Sequence, residues 1–155
     1  MKKCTECGKT KLQTGFAPAE IEVGSRVFSR EVAAQTCGAC GAIFYDGPGL
    51  VAFEQDVVRW LAENGFASGE EFKLLRKTAG LWASELADLL GVSAETVSHW
   101  ENDKHPFDRS TQTTLASLVL DHLDGRSTTL ARLKKIREPA TRLQGRISLP
   151  AARLA

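Results

Sequence analysis

The residues best equipped for chemistry are four cysteines, Cys4, Cys7, Cys37 and Cys40. They form two Cys-x2-Cys pairs separated by 29 residues. Two intervening residues let both thiolates of a pair reach one ion, while the tight turn between them aims backbone N–H groups at the sulfurs. Gly8 and Gly41 follow the second cysteine of each pair, where such a knuckle often needs a positive φ. Four thiolates around one ion make a closed tetrahedral site with no open position for activating water, which is the signature of structural zinc. The spacing therefore predicts one structural Zn2+ held by Cys4, Cys7, Cys37 and Cys40.

Two rival chemistries use the same residue types. Separate redox Cys-x-x-Cys pairs would sit in a βαβ pattern, which is missing here. A rubredoxin-like iron site shares the four-cysteine knuckles, although the segment between these pairs lacks a dense aromatic core and strong acidity. Between the two pairs, residues 13–23 and 26–36 flank a Gly24-Ser25 turn signal. Ile21 and Val23 alternate on one arm, and Phe28 and Val32 share a face of the other, so a β-hairpin is expected between the pairs. Gly47-Pro48-Gly49 is expected to break the pattern. A lobe of about fifty residues with few large apolar side chains cannot offset its chain entropy by burial alone. Metal binding should then supply much of its folding free energy.

From Leu50 the period becomes helical, with Phe53, Val57, Trp60 and Leu61 on one stripe and a stop at Asn64-Gly65. Ser68 and Glu71 have the spacing of a capping box and open a helix with Phe72, Leu75 and Arg76 that ends at Gly80. Further helices are expected over about 82–90, 94–102 and 110–123, and the basic segment after Gly125 places Leu130, Leu133 and Ile136 at helical spacing. Leu81, Leu86, Ala87 and Leu90 should point inward, as should Val97 and Trp100. Gly91 allows a sharp turn, Val92 plugs the core, and Ser93 caps the next helix. That leaves Ala94, Glu95, Thr96, His99 and Asn102 facing out, the arrangement of a helix that enters the major groove.

The stretch from Leu75 to Asn102, with its leucine–alanine helix, Gly91-Val92-Ser93 and a helix ending Trp100-Glu101-Asn102, resembles the helix-turn-helix of the Cro/repressor-like (XRE) class. Joined to the two Cys-x-x-Cys-Gly knuckles, residues 1–124 resemble the MqsA-type (YgiT-type zinc finger) antitoxin family. The chain departs from the XRE pattern at Trp82, usually Ser or Thr, and at Ala83, usually Gln, where a helix start meets phosphate. It departs again at Ala94 and His99. The resemblance implies an antitoxin that grips a cognate toxin, typically a ribonuclease, through the zinc domain. It also implies repression of the antitoxin's own operon by a homodimer on a palindromic operator. Candidate base readers are Glu95, Thr96, Ser98, His99 and Asn102, and candidate phosphate contacts include Arg76, Lys104 and Arg109.

The expected fold class is α+β: a small β-rich four-cysteine domain (1–49), a connecting helix or linker (50–69), an all-α helix-turn-helix domain (70–124) and a basic tail (125–155). The net charge of +1 conceals a strong asymmetry: residues 70–125 carry five Lys+Arg against ten Asp+Glu, and residues 126–155 carry eight against one. DNA affinity comes mainly from phosphate neutralisation. The tail, with Arg126, Arg132, Lys134, Lys135, Arg137, Arg142 and Arg146, is therefore expected to lie along the DNA backbone or to dock on the acidic segment. The part bracketed by Pro139 and Pro150 is expected to be poorly ordered. Trp60 and Trp100 are expected in core or interface, His105 and His122 at the surface. Leu115, Leu118, Val119 and Leu123 should form core or a dimer seam. No span of about 20 apolar residues and no signal-peptide core occur, so a cytoplasmic protein without membrane contact is the default. There is no Gly-rich phosphate loop, no His-Glu-x-x-His and no nucleophile with a base, so no enzyme is expected. Two alternatives remain: a zinc-containing transcriptional regulator without a toxin, and a rubredoxin-like iron protein fused to a DNA-binding domain.

Overall fold

The computed structural model describes residues 3–137 and Ser148. Two long strands, β1 (Leu12–Val23) and β2 (Arg26–Cys37), form an antiparallel hairpin, and a short β3 (Ile43–Tyr45) pairs with β2. Six helices follow: α1 (Gly47–Asn64), α2 (Gly69–Thr78), α3 (Ala83–Leu90), α4 (Ala94–Glu101), α5 (Arg109–Leu123) and α6 (Thr128–Arg137). The hairpin pairs without interruption from Val23↔Arg26 at its turn to Leu12↔Cys37 at its open end. Twelve residues at about 3.3 Å each make an arm about 40 Å long. Pro18 is tolerated in β1 because β1 is an edge strand.

The arm is anchored at its turn. Ala19, Val23 and Val32 belong to the same buried cluster as Phe53, Val57 and Val58 of α1. The Gly24 N–H donates to Glu70 (3.0 Å), and Arg26 donates to the Gly65 carbonyl (2.8 Å). Arg26 also lies 3.3 Å from the buried Glu71 carboxylate, which accepts the Ala67 and Ser68 N–H groups in the expected capping box.

The strand pattern breaks at Gly47-Pro48-Gly49 as expected, and these residues also start α1. Asp46 caps the helix by accepting the Gly49 N–H, and Pro48 sits in the first turn, where its missing N–H leaves no bond unmade. Helix α1, expected to join two domains or to pack on one of them, buries Phe53, Val57, Val58 and Leu61 and packs against both β2 and α5.

The body closes around Phe66, Phe72, Leu75, Leu86, Val97, Leu115 and Val119, all fully buried. Phe72 is central, with ring centroids 5.0 Å from Phe107, 5.7 Å from Trp100 and 6.2 Å from Phe66. Gly69 lets α2 start against the end of α4. A Cβ there would lie 2.5 Å from the Trp100 carbonyl oxygen, and the Gly69 N–H donates to Asp103 (2.6 Å). Leu115, Leu118 and Val119 are buried within this one chain, which makes them core and removes them from any dimer seam.

The first part of the basic tail is folded onto the body. Helix α6 packs against α3 and α5. Arg126 pairs with Asp121 (3.2 Å) and Asp124 (2.8 Å), and Arg137 lies 3.5 Å from Asp88. A hydrogen bond from Arg59, helped by the charges of Arg59 and Arg126, holds the Asp124 carboxyl below its ordinary range. Residues 126–137 thus take one of the expected arrangements, docking on the acidic segment through Asp88, Asp121 and Asp124. Arg142, Arg146 and the stretch between Pro139 and Pro150 lie outside the described residues.

Candidate metal centre and nucleic-acid interface

The two cysteine pairs are built alike. Cys4 N–H donates to the Lys9 carbonyl and Gly8 N–H to the Cys4 carbonyl; Cys37 N–H donates to Ala42 and Gly41 N–H to Cys37, all at 2.8–2.9 Å. Gly8 and Gly41 take φ of +72° and +78°, and neither has a neighbour within 4 Å of the place a Cβ would occupy. Backbone conformation, and not space, selects glycine there. The Gly38 N–H donates to the Lys11 carbonyl (2.8 Å), tying one knuckle to the other.

This symmetry brings all four sulfurs within 4.8 Å of one another. Cys4 and Cys40 approach to 3.7 Å, as do Cys7 and Cys37. A tetrahedral ion with metal–sulfur bonds of about 2.3 Å would set its sulfurs about 3.8 Å apart, so the donor set and spacing fit a metal ion. They are far too long for disulfides, whose S–S length is about 2.05 Å. Cys4 and Cys37 are buried, and Cys7 and Cys40 reach the surface.

Electrostatics at the centre favour the thiolate at Cys37 and resist it at Cys40. The Ala39 N–H, aided by Cys40, draws the Cys37 thiol down to about 6 against the opposing effect of burial. At Cys40 the Ala42 N–H favours ionisation, but the Cys7 sulfur, desolvation and the other two sulfurs push the thiol up to about 12. A cation among them would reverse that resistance, because a coordinating thiol loses its proton outright.

In the helical body, α3 and α4 are joined by Gly91, left-handed at φ +70°, with Val92 and Ser93 completing the turn. Ser93 caps α4 by accepting the Thr96 N–H (3.1 Å), and its hydroxyl also bonds that of Thr96 (2.9 Å). Val97 and Trp100 point inward, as expected. Residues 68–119 match the family model of the helix-turn-helix domain. A helix-turn-helix at this place indicates a DNA-binding regulator. No curated protein matches the chain. Among the described residues, no helix is long and apolar enough to cross a membrane.

The candidate DNA contacts of the helix-turn-helix fall into three groups. Glu95, Ser98, Asn102, Lys104 and Arg109 are exposed. Asn102 donates its amide to the Ser98 carbonyl (2.7 Å), which leaves its side-chain oxygen outward. Thr96 and His99 are half-buried. His99 lies 3.7 Å from Glu95 and makes an edge contact with His105, ring centroids 5.0 Å apart. Arg76 does not belong with them. It is 6% exposed, its guanidinium is paired with Glu101 of α4, and it donates to the Leu81 carbonyl (2.6 Å). Its charge clamps α2 to the turn and to α4, out of reach of a phosphate. His105, which sequence reasoning placed simply at the surface, is beside His99. Only its proximity to the Trp100-Glu101-Asn102 helix end could have suggested this.

Proposed function

We propose that this chain is an MqsA-type antitoxin. It would bind operator DNA as a homodimer through its helix-turn-helix, hold one structural Zn2+ at Cys4, Cys7, Cys37 and Cys40, and neutralise a cognate toxin through the arm that carries the metal. The observation that supports this most strongly is the separation along one hairpin. Its turn is packed into the helix-turn-helix body, while its open end, about 40 Å away, carries four convergent sulfurs. When bound, the ion would cross-link the two knuckles and supply no reactive position, because four cysteines close its coordination.

Around that metal the sheet offers a surface for a partner. Phe16 on the exposed face of β1 is 75% accessible, and Phe44 lies across the same face beside Gln35. At the other end of the chain, Glu95, Thr96, Ser98, His99 and Asn102 would face base edges, with Glu95 suited to a cytosine amino group. Lys104 and Arg109 would meet phosphates. A two-fold dimer requires half-sites about 34 Å apart. The chain would act in the cytoplasm by binding, and no catalysis is assigned to it.

The test is genetic and biochemical together. The reading frame adjoining this one in its native operon is expressed with and without the full-length chain. Growth arrest relieved by the chain, and co-purification of the two proteins, is the expected result. Arrest that the chain does not relieve, or a neighbour with no effect on growth, would leave a metal-bearing regulator without a toxin.

A further inference from the structure

Trp82 is the most conspicuous apolar side chain of the helix-turn-helix. It is 75% exposed and stands at the N-cap position of α3. An indole cannot cap a helix through an oxygen, and the Trp82 backbone N–H is already taken by the Glu85 carboxylate at 2.7 Å. That carboxylate lies at the helix start and weakens its attraction for a phosphate. Trp82 lines a shallow groove with Lys77, Gly80, Leu81 and Ala83.

In a helix-turn-helix the first helix crosses the DNA backbone while the second enters the major groove. Here those helices are α3 and α4. We propose that Trp82 contacts DNA through its indole face, packing on the apolar deoxyribose edge of the backbone, with Lys77 on the neighbouring phosphate. The contact offsets an attraction for phosphate that Glu85 weakens. It suits a body with ten acidic against five basic residues over 70–125, because apolar packing adds affinity without counterion release. The inference rests on the DNA-binding role of residues 68–119 and is independent of any toxin.

Duplexes enriched by the full-length chain from a random-sequence pool provide the probe. Their binding is followed by anisotropy across a salt series for the wild type, Trp82→Ala, Trp82→Phe and Lys77→Ala. Trp82→Ala should weaken binding on the order of tenfold at every salt concentration, as expected when a large apolar side chain loses its burial. Its log–log salt slope should match the wild type, and Trp82→Phe should recover most of the loss. Lys77→Ala should make the slope shallower by about one. The wild-type tryptophan emission should change on DNA binding, and that change should be absent in Trp82→Phe. Equal affinity of Trp82→Ala and wild type would overturn the proposal. So would an emission change that follows protein concentration without DNA and is lost in Trp82→Phe, which would assign Trp82 to a self-contact. Enrichment of no duplex by the wild type would overturn the DNA-binding role itself, and the inference with it.

Discussion

The two ends of the hairpin are held by different physics. At the turn, strand residues Val23 and Val32 share a continuous core with α1, and Gly24 and Arg26 are bonded to Glu70, Glu71 and Gly65. At the open end the buried residues are Cys4, Cys37 and the small Ala34. Side-chain packing can hold the first end without help. The second has little apolar surface and, on the proposed reading, would depend on an ion among its sulfurs. One pair of strands therefore joins a self-sufficient body to a conditional tip, and a lesion in either should be read separately from the other.

The largest expected effect lies in the body. Phe72→Ala removes the ring around which Phe66, Trp100 and Phe107 assemble. It should cost about 3–5 kcal/mol, seen as a lower midpoint in urea unfolding followed by far-ultraviolet circular dichroism. The metal content of the folded fraction should stay unchanged. A smaller, opposite pattern is expected at the tip. Gly41→Ala forces an L-residue into the left-handed conformation at a cost of about 1–2 kcal/mol. It should weaken retention of the metal in a chelator competition and leave the urea midpoint of the body in place. If Gly41→Ala lowered both together, the two ends would be one cooperative unit.

Much of this contrast was legible in the residues themselves. Gly24-Ser25 and the alternating apolar positions place the hairpin to within a residue at each strand end, and Ser68 with Glu71 marks the start of α2 through a capping box that forms as expected. The cysteine spacing anticipates the sulfur cluster, since both halves of that site are local knuckles. Features that depend on distant partners were not legible. Arg76 looks like a surface cation on a helical stripe until Glu101, far along the chain, closes over it. Gly47-Pro48-Gly49 looks like a break because Asp46 must cap it before it can be a helix start. The short β3 leaves only the run Ile43-Phe44-Tyr45, and its role follows from pairing with β2. The docking of α6 depends likewise on Asp88 of α3, which meets Arg137, and on Asp121 and Asp124 at the end of α5, which meet Arg126 just before α6.

The most direct measurement is hydrogen exchange on the full-length protein before and after treatment with a strong chelator, with metal content determined on the same samples. One equivalent of zinc should be present at the start and absent afterwards. Amides of the two knuckles, including Gly8, Gly38 and Gly41, should then lose protection, while those of α2 and α5 keep theirs. Protein that carries no metal as purified, yet shows protected knuckle amides, would contradict the dependence of the tip on a bound ion.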